Sequence, residues 1–179
     1  MKTIAIFIVA LLAAISAKAQ TDSIGVFSVR NGVTNRIEVL NYNQTKISGG
    51  FRSKAKLVFE GATSANRFNG SATFRLYFGT PSPYDAAKYY MFTPSYSAKD
   101  FNVGRFDVKK GNRYLTTVSV SIIGSKLGAG KAKDVNVEYK QLRNNVYEIT
   151  VTGPAGEYCI MSVRNGVAGY TGVFDFTIE

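Results

Sequence analysis

Twelve Asp and Glu side chains, one cysteine and no histidine bound the chemistry open to this 179-residue chain. Ser-His-Asp and Cys-His nucleophile systems need an imidazole to take a proton near neutral pH, and none is present. Zinc sites built on His or on clustered Cys fall with it. No metal and no cofactor is expected. What remains for an enzyme is a pair of carboxylates, held about 5–10 Å apart in a cleft as in glycosidases. Glu38, Glu60, Glu138 and Glu148 fall at solvent-facing strand positions, and Asp85, Asp100 and Asp134 fall in turns. Solvated surface acids account for these positions. The chain is therefore read as a non-enzyme, with a carboxylate-dependent glycan hydrolase as the alternative.

The segment Gly124-Ser125-Lys126-Leu127-Gly128-Ala129-Gly130-Lys131 looks at first like a phosphate loop. A phosphate loop requires Gly, four residues, then Gly-Lys-Ser/Thr, so that backbone N–H groups wrap the phosphates and the hydroxyl holds Mg²⁺. Here Ser125 stands where the first glycine is needed, and Ala132 follows the lysine. Nucleotide is not a predicted ligand, and the segment reads as a basic connection. Cys159 alternates with Met161 and Val163, which predicts a buried small hydrophobe rather than a reactive thiol.

Residues suited to binding are easier to find. Lys109, Lys110 and Arg113 surround one turn, and Lys126 and Lys131 lie in another. Between Thr80 and Tyr96, the longest irregular stretch, stand Tyr84, Tyr89, Tyr90 and Tyr96. Long loops of this kind are usually functional or flexible. Aromatic rings stack on sugars, and Lys and Arg meet acidic groups. These nine residues form the predicted ligand-contacting set. No nucleic-acid fold signature accompanies them, so nucleic acid is not an expected partner. An acidic glycan, lipopolysaccharide or another envelope protein is.

The elements that must position these residues are strands. Tyr114, Thr116, Val118, Val120 and Ile122 alternate with Leu115, Thr117, Ser119 and Ser121. The same period of two runs through Ala72–Phe78, Tyr147–Val151 and Phe174–Ile178. Further strands are predicted over Ile24–Arg30, Val33–Tyr42, Ala55–Glu60, Phe101–Lys109, Asp134–Lys140 and Glu157–Arg164. The apolar face changes phase near Gly104-Arg105, which predicts a β-bulge at Gly104. Asn31-Gly32 and Asn165-Gly166 are hairpin signals inside the repeated hexapeptide SVRNGV. No segment past the leader holds a helical apolar period, although a short helical turn fits Asp85–Lys88. Short strands with turns every 8–12 residues predict one antiparallel β-sandwich, immunoglobulin-like or jelly-roll-like.

The first nineteen residues read as a signal peptide. Lys2 precedes the apolar run Ile4–Ile15, and Ala17-Lys18-Ala19 supplies the small-x-small cleavage site. The run is shorter than the about 20 apolar residues a membrane anchor needs. No Cys lies near the cleavage site, so no lipid anchor is expected. Residues 20–179 then form the single sandwich domain, soluble, in the periplasm or outside the cell. Loss of Lys2 and Lys18 takes the net charge from +10 to +8, and a basic exported protein favours anionic partners. One cysteine permits no internal disulfide, so stability must come from the core.

Several segments of the second half fit a known pattern: Ser97-Ala98-Lys99-Asp100-Phe101, Val146-Tyr147-Glu148-Ile149-Thr150, Gly153–Gly156, Glu157-Tyr158-Cys159-Ile160 and Phe174-Asp175-Phe176. Together with Lys56–Ala62 and Thr73–Phe78 they resemble uncharacterised exported proteins of Bacteroidetes-type bacteria, whose ends read PGEYAF…FDFG. That resemblance covers Ala55–Glu179 and implies the fold and the compartment. It implies no catalytic residue. The leading expectation is an exported, non-catalytic binding or structural interaction module of the bacterial envelope or exterior. A binder of anionic glycan or other polyanion through basic loops is a further alternative.

Overall fold

The structure is a computed structural model that describes residues 24–49, 53–121, 124–127, 132, 134–163 and 172–179. The leader and residues 164–167 of the second SVRNGV copy, with Asn165-Gly166, lie outside the described residues. Fourteen strands are described: β1 (Gly25–Arg30), β2 (Val33–Arg36), β3 (Gln44–Ser48), β4 (Ser53–Glu60), β5 (Arg67–Phe68), β6 (Ser71–Tyr77), β7 (Phe101–Arg105), β8 (Asp107–Lys109), β9 (Asn112–Ser121), β10 (Gly124–Leu127), β11 (Asn136–Arg143), β12 (Val146–Thr152), β13 (Gly156–Ser162) and β14 (Phe174–Ile178). The fold is all-β, as the alternation predicts, and its sheets pack face to face.

Among the described residues the sheets number three. A first sheet has the order β11-β12-β6-β1-β2, a second β10-β9-β4-β3 with β8 added to β9, and a middle one β5-β14-β13-β7. All pairings are antiparallel except that of β5 with β14. The middle sheet explains why β13 and β14 are buried at every position from Glu157 to Ile178 within them. Their even-numbered side chains, Tyr158, Ile160, Phe174, Phe176 and Ile178, meet Val26, Phe74, Leu76 and Ile149 of the first sheet. Their odd-numbered Cys159 and Met161 meet Leu57, Phe59 and Leu115 of the second. An alternating sequence of apolar and mixed residues looks half-exposed on paper. A second covering layer buries both faces instead.

Turn chemistry follows the sequence closely. Asn31 and Gly32 both take positive φ, 49° and 78°, between the paired Arg30 and Val33. Lys110 and Gly111 do the same, at 50° and 75°, between Lys109 and Asn112. These are the two-residue loops whose twist matches the flanking strands. The stretch Gly153–Gly156 carries the chain from the first sheet into the middle one, and Tyr158 Oη donates to Pro154 O at 2.6 Å across that corner.

Three expectations are corrected. Gly104 lies in regular register opposite Cys159, and the phase change comes at Phe106, where the chain passes from β7 in the middle sheet to β8 in the second. Glycine is needed at 104 for closeness rather than for a bulge, since a Cβ there would stand 2.3 Å from Met161 Cε and 3.1 Å from Leu115 Cδ1. A bulge does occur in β9, where Ala55 pairs with Val118 and Lys56 with Thr116. Residues Arg113, Leu115 and Thr117 point inward there, not Tyr114 and Thr116. Finally, strand pairing over Val33–Tyr42 stops at Arg36, and Leu40 makes a single bridge to Val173.

Candidate functional site

The second sheet has one inner and one outer face, and the outer one gathers lysines. Leu57 and Phe59 point inward, so Lys54, Lys56 and Glu60 on the same strand point outward. Pairing brings Lys46 of β3 directly opposite Lys56, and Ser48 opposite Lys54. Tyr114 stands beside them on β9, with Lys46 Nζ 5.6 Å from its ring centre. On β8, Asp107 faces Tyr114, and Lys109 lies two residues on at the same face. Lys56 Nζ donates to Asp107 Oδ2 at 2.8 Å. The face thus presents Lys46, Lys54, Lys56 and Lys109 against Asp107 and Glu60, with a tyrosine ring among them. Like charges directly opposite each other across strands are unfavourable, and the 2.8 Å pair relieves only one side of the Lys46–Lys56 juxtaposition.

The predicted ligand-contacting residues are scattered by comparison. Lys109 and Lys110 are exposed at the tip of the β8–β9 hairpin, at the edge of this face. Lys126 pairs with Ser119 at the neighbouring edge; its side chain and Lys131 lie outside the described residues. Tyr84 is 98 % exposed. The other tyrosines of Thr80–Tyr96 are drawn inward, because this stretch folds rather than loops. A one-turn helix α1 (Ala86–Tyr89) and a 3-10 turn Tyr90–Phe92 deliver Tyr89, Met91 and Phe92 to the core. Tyr89 is closed over by Arg36, whose guanidinium carbon lies 4.5 Å from the ring centre. Tyr90 and Tyr96 are half-buried against each other, edge to face at 6.3 Å. Lys88 ties the helix to the segment after β2 through a 2.6 Å bond to Glu38. That hydrogen bond lowers the Glu38 pKa and raises that of Lys88.

Arg113 is the clearest correction. It does not reach a surface ligand. It is 3 % exposed, between the second sheet and the middle one. Its Nη1 donates to Asp175 Oδ2 at 2.5 Å and lies 3.7 Å from Glu157 Oε2. Its Nε and Nη2 donate to the carbonyls of Gly61 and Glu60. Glu157 accepts from the Ser64 N–H and from Thr177 Oγ1, at 2.9 and 2.7 Å. Among the described residues no buried side-chain polar atom lacks a partner. The inward phase set by the β9 bulge put Arg113 there, and a sequence pattern that treats every Arg as solvated cannot show it.

Glu157 and Asp175 also bear on the paired-carboxylate chemistry. They converge on one guanidinium nitrogen, yet they are 6 % and 8 % exposed. A glycosidic bond cannot come between them unless the two sheets part. Among the described residues no group of three or more Cys, Asp or Glu is placed to hold a metal ion. Cys159 is buried and unpaired, and burial pushes its thiol pKa far up.

Apart from Lys109, the lysine-bearing face is not legible in the sequence as a unit, because its members come from three separate strands. The usable signal was local: Lys54 and Lys56 two apart, like Gln44, Lys46 and Ser48, mark one polar side of each strand. No helix among the described residues is long and apolar enough to cross a membrane. Comparison with protein-family models, with curated proteins and with solved structures finds no match for this chain.

Proposed function

We propose that this chain is an exported, non-catalytic binding module that holds an anionic polymer, an acidic glycan, on the outer face of its second sheet. The observation that carries this reading is the cross-strand placement of Lys46 opposite Lys56, beside Lys54 and Tyr114. Such a face is under electrostatic tension alone, and carboxylates or sulfates of a polymer relieve it. Tyr114 holds the Lys46 ammonium over its ring and so fixes one of the charges that meet the polymer. The net charge, +10 for the full chain and +8 without the leader lysines Lys2 and Lys18, acts in the same direction, raising the local concentration of polyanions around the whole protein.

The test is retention on an immobilised acidic polysaccharide as salt is raised. Binding should weaken steeply and linearly in log–log form, because each lysine contact releases a counterion. Lys46→Gln/Lys54→Gln/Lys109→Gln should weaken binding and flatten that slope by about three contacts. Lys99→Gln, at the exposed residue of the 3-10 turn Ala98–Asp100, should change neither. Retention that ignores salt, or that survives the triple substitution, removes the reading.

A further inference from the structure

On the opposite side of the middle sheet from the lysines, the first sheet splits. Strands β1 and β6 are paired from Gly25–Tyr77 to Ser28–Phe74, and there their ladder ends. Each keeps its other neighbour beyond that point: β1 pairs with β2 through Arg30–Val33, and β6 with β12 through Ser71–Thr152. The wedge between them is a groove of about 490 Å³. Phe68 of the middle sheet forms part of its wall, 7 % exposed.

The groove is built from groups that recognise a charged, hydroxylated ring. Arg30 lies over Phe68, its guanidinium carbon 4.4 Å from the ring centre, and donates one N–H to the Arg67 carbonyl. A guanidinium has five N–H donors in a fixed fork, so the anchored side chain keeps donors for a carboxylate. Arg67 is paired with Glu179, but both side chains are about half exposed, at 50 % and 43 %. An exposed pair of this kind is weak, and an incoming carboxylate can compete for it. Around the two arginines stand the amides of Asn31 and Asn69 and the hydroxyls of Ser71 and Thr73. Apolar lining comes from Val29 and Phe68 alone, which argues against a lipid or a hydrocarbon ligand. Arg30 already covers the Phe68 ring, which argues against stacking of a nucleobase.

We infer that this groove is a separate binding site for a single carboxylate-bearing sugar ring, with Arg30 as its anion-binding residue and Asn69 and Ser71 as its hydroxyl readers. The volume suits one or two sugar rings rather than a long polymer. The site is independent of the lysine face, so either can fail without the other.

The experiment is an NMR titration of the full chain with D-glucuronate, methyl glucoside and inorganic phosphate in turn. Glucuronate should shift the Asn31 and Asn69 amides saturably. Methyl glucoside, lacking the charge, should bind about tenfold more weakly or worse. Arg30→Gln should cost about tenfold in glucuronate affinity. Because Arg30 also covers Phe68, Asn69→Ala and Ser71→Ala serve as variants at exposed positions; each should cost a few-fold with the melting temperature unchanged. The triple lysine substitution should leave glucuronate binding intact. The inference is overturned by the absence of a saturable shift, by equal affinity for the neutral sugar, or by loss with the lysine variant alone. Phosphate competing as well as glucuronate, with Asn69→Ala and Ser71→Ala silent, also overturns it by reducing the groove to a simple anion site.

Discussion

The two faces of the middle sheet come from the same two strands and solve burial in opposite ways. Toward the first sheet, Tyr158, Ile160, Phe174, Phe176 and Ile178 enter a continuous apolar layer rich in ring contacts. Phe176 alone lies 4.8 Å from Phe74, 5.6 Å from Tyr158 and 6.2 Å from Phe68, centre to centre. Toward the second sheet, Glu157, Asp175 and Thr177 share a layer with Cys159 and Met161, and Arg113 reaches across to them. The apolar face gains by area alone, so it is indifferent to the detailed direction of its groups. The ionic face gains little net free energy from its charges, since desolvation offsets most of their attraction. What it gains is exclusivity. Arg113 is satisfied by two carbonyls at the end of β4 and a carboxylate of β14 at once, and only a packing that sets β9 in register with β4 and over β14 provides all three.

The comparison can be broken most sharply at Arg113. Arg113→Met leaves two buried carboxylates without their cation and should cost about 3–5 kcal/mol in urea unfolding. Replacing the group together, as Arg113→Met/Glu157→Leu/Asp175→Leu, should return part of that loss, because no charge is left buried, while the Ser64 N–H, the Thr177 hydroxyl and the Glu60 and Gly61 carbonyls lose a partner. A triple variant less stable than the single one would show that the charges stabilise rather than specify. Arg113→Lys should fall with Arg113→Met, since a lysine cannot serve three acceptors in one plane.

Next in size is Gly104→Ala, where the new Cβ meets Met161 Cε at 2.3 Å and Leu115 Cδ1 at 3.1 Å. Overpacking of this kind costs about 1–3 kcal/mol. The double variant with Met161→Ala should be less damaging than the sum of the two single changes, because both act on the same contact. Strict additivity in that cycle would place the strain elsewhere.

The apolar face should be more forgiving. Ile178→Leu conserves volume and apolar character at a buried position of that face and should cost less than about 1.5 kcal/mol by the same denaturation assay. A loss as large as that of Arg113→Met would erase the distinction between the faces. Cys159 gives the smallest effect of all. Its thiol is fully enclosed, and desolvation, then the nearby Asp175 charge, hold its pKa up. Native protein should therefore resist iodoacetamide even at mildly alkaline pH, and label only as fast as it unfolds. Prompt labelling of the folded chain would show that the layer opens.

Some of this was legible in single residues and some was not. The Asn31-Gly32 turn follows from the ease with which Asn and Gly adopt positive φ, whatever surrounds them. The burial of Cys159 follows from its apolar alternation partners. The four tyrosines of Thr80–Tyr96 do not yield to such reasoning. Tyr84 and Tyr89 are the same residue type five positions apart, yet one is 98 % exposed and the other 2 %. What separates them is a four-residue helix and the position of Arg36, and neither has a periodic signature. Arg105 and Arg113 differ in the same way, one exposed at the sheet edge and one enclosed between layers.

The amino-acid sequence by itself determined that this is an antiparallel β protein with a two-residue turn at Asn31-Gly32 and a turn at Lys110-Gly111-Asn112, because alternation and turn conformation are set by neighbours in the chain. It also determined that histidine chemistry is closed to it, because composition needs no fold. Tertiary structure alone decided that the sheets number three, that Arg113 serves Asp175 rather than solvent, and that lysines from β3, β4 and β8 share one face. These depend on which strands pair and on where a bulge resets the phase, and both are settled by contacts between residues far apart in the chain.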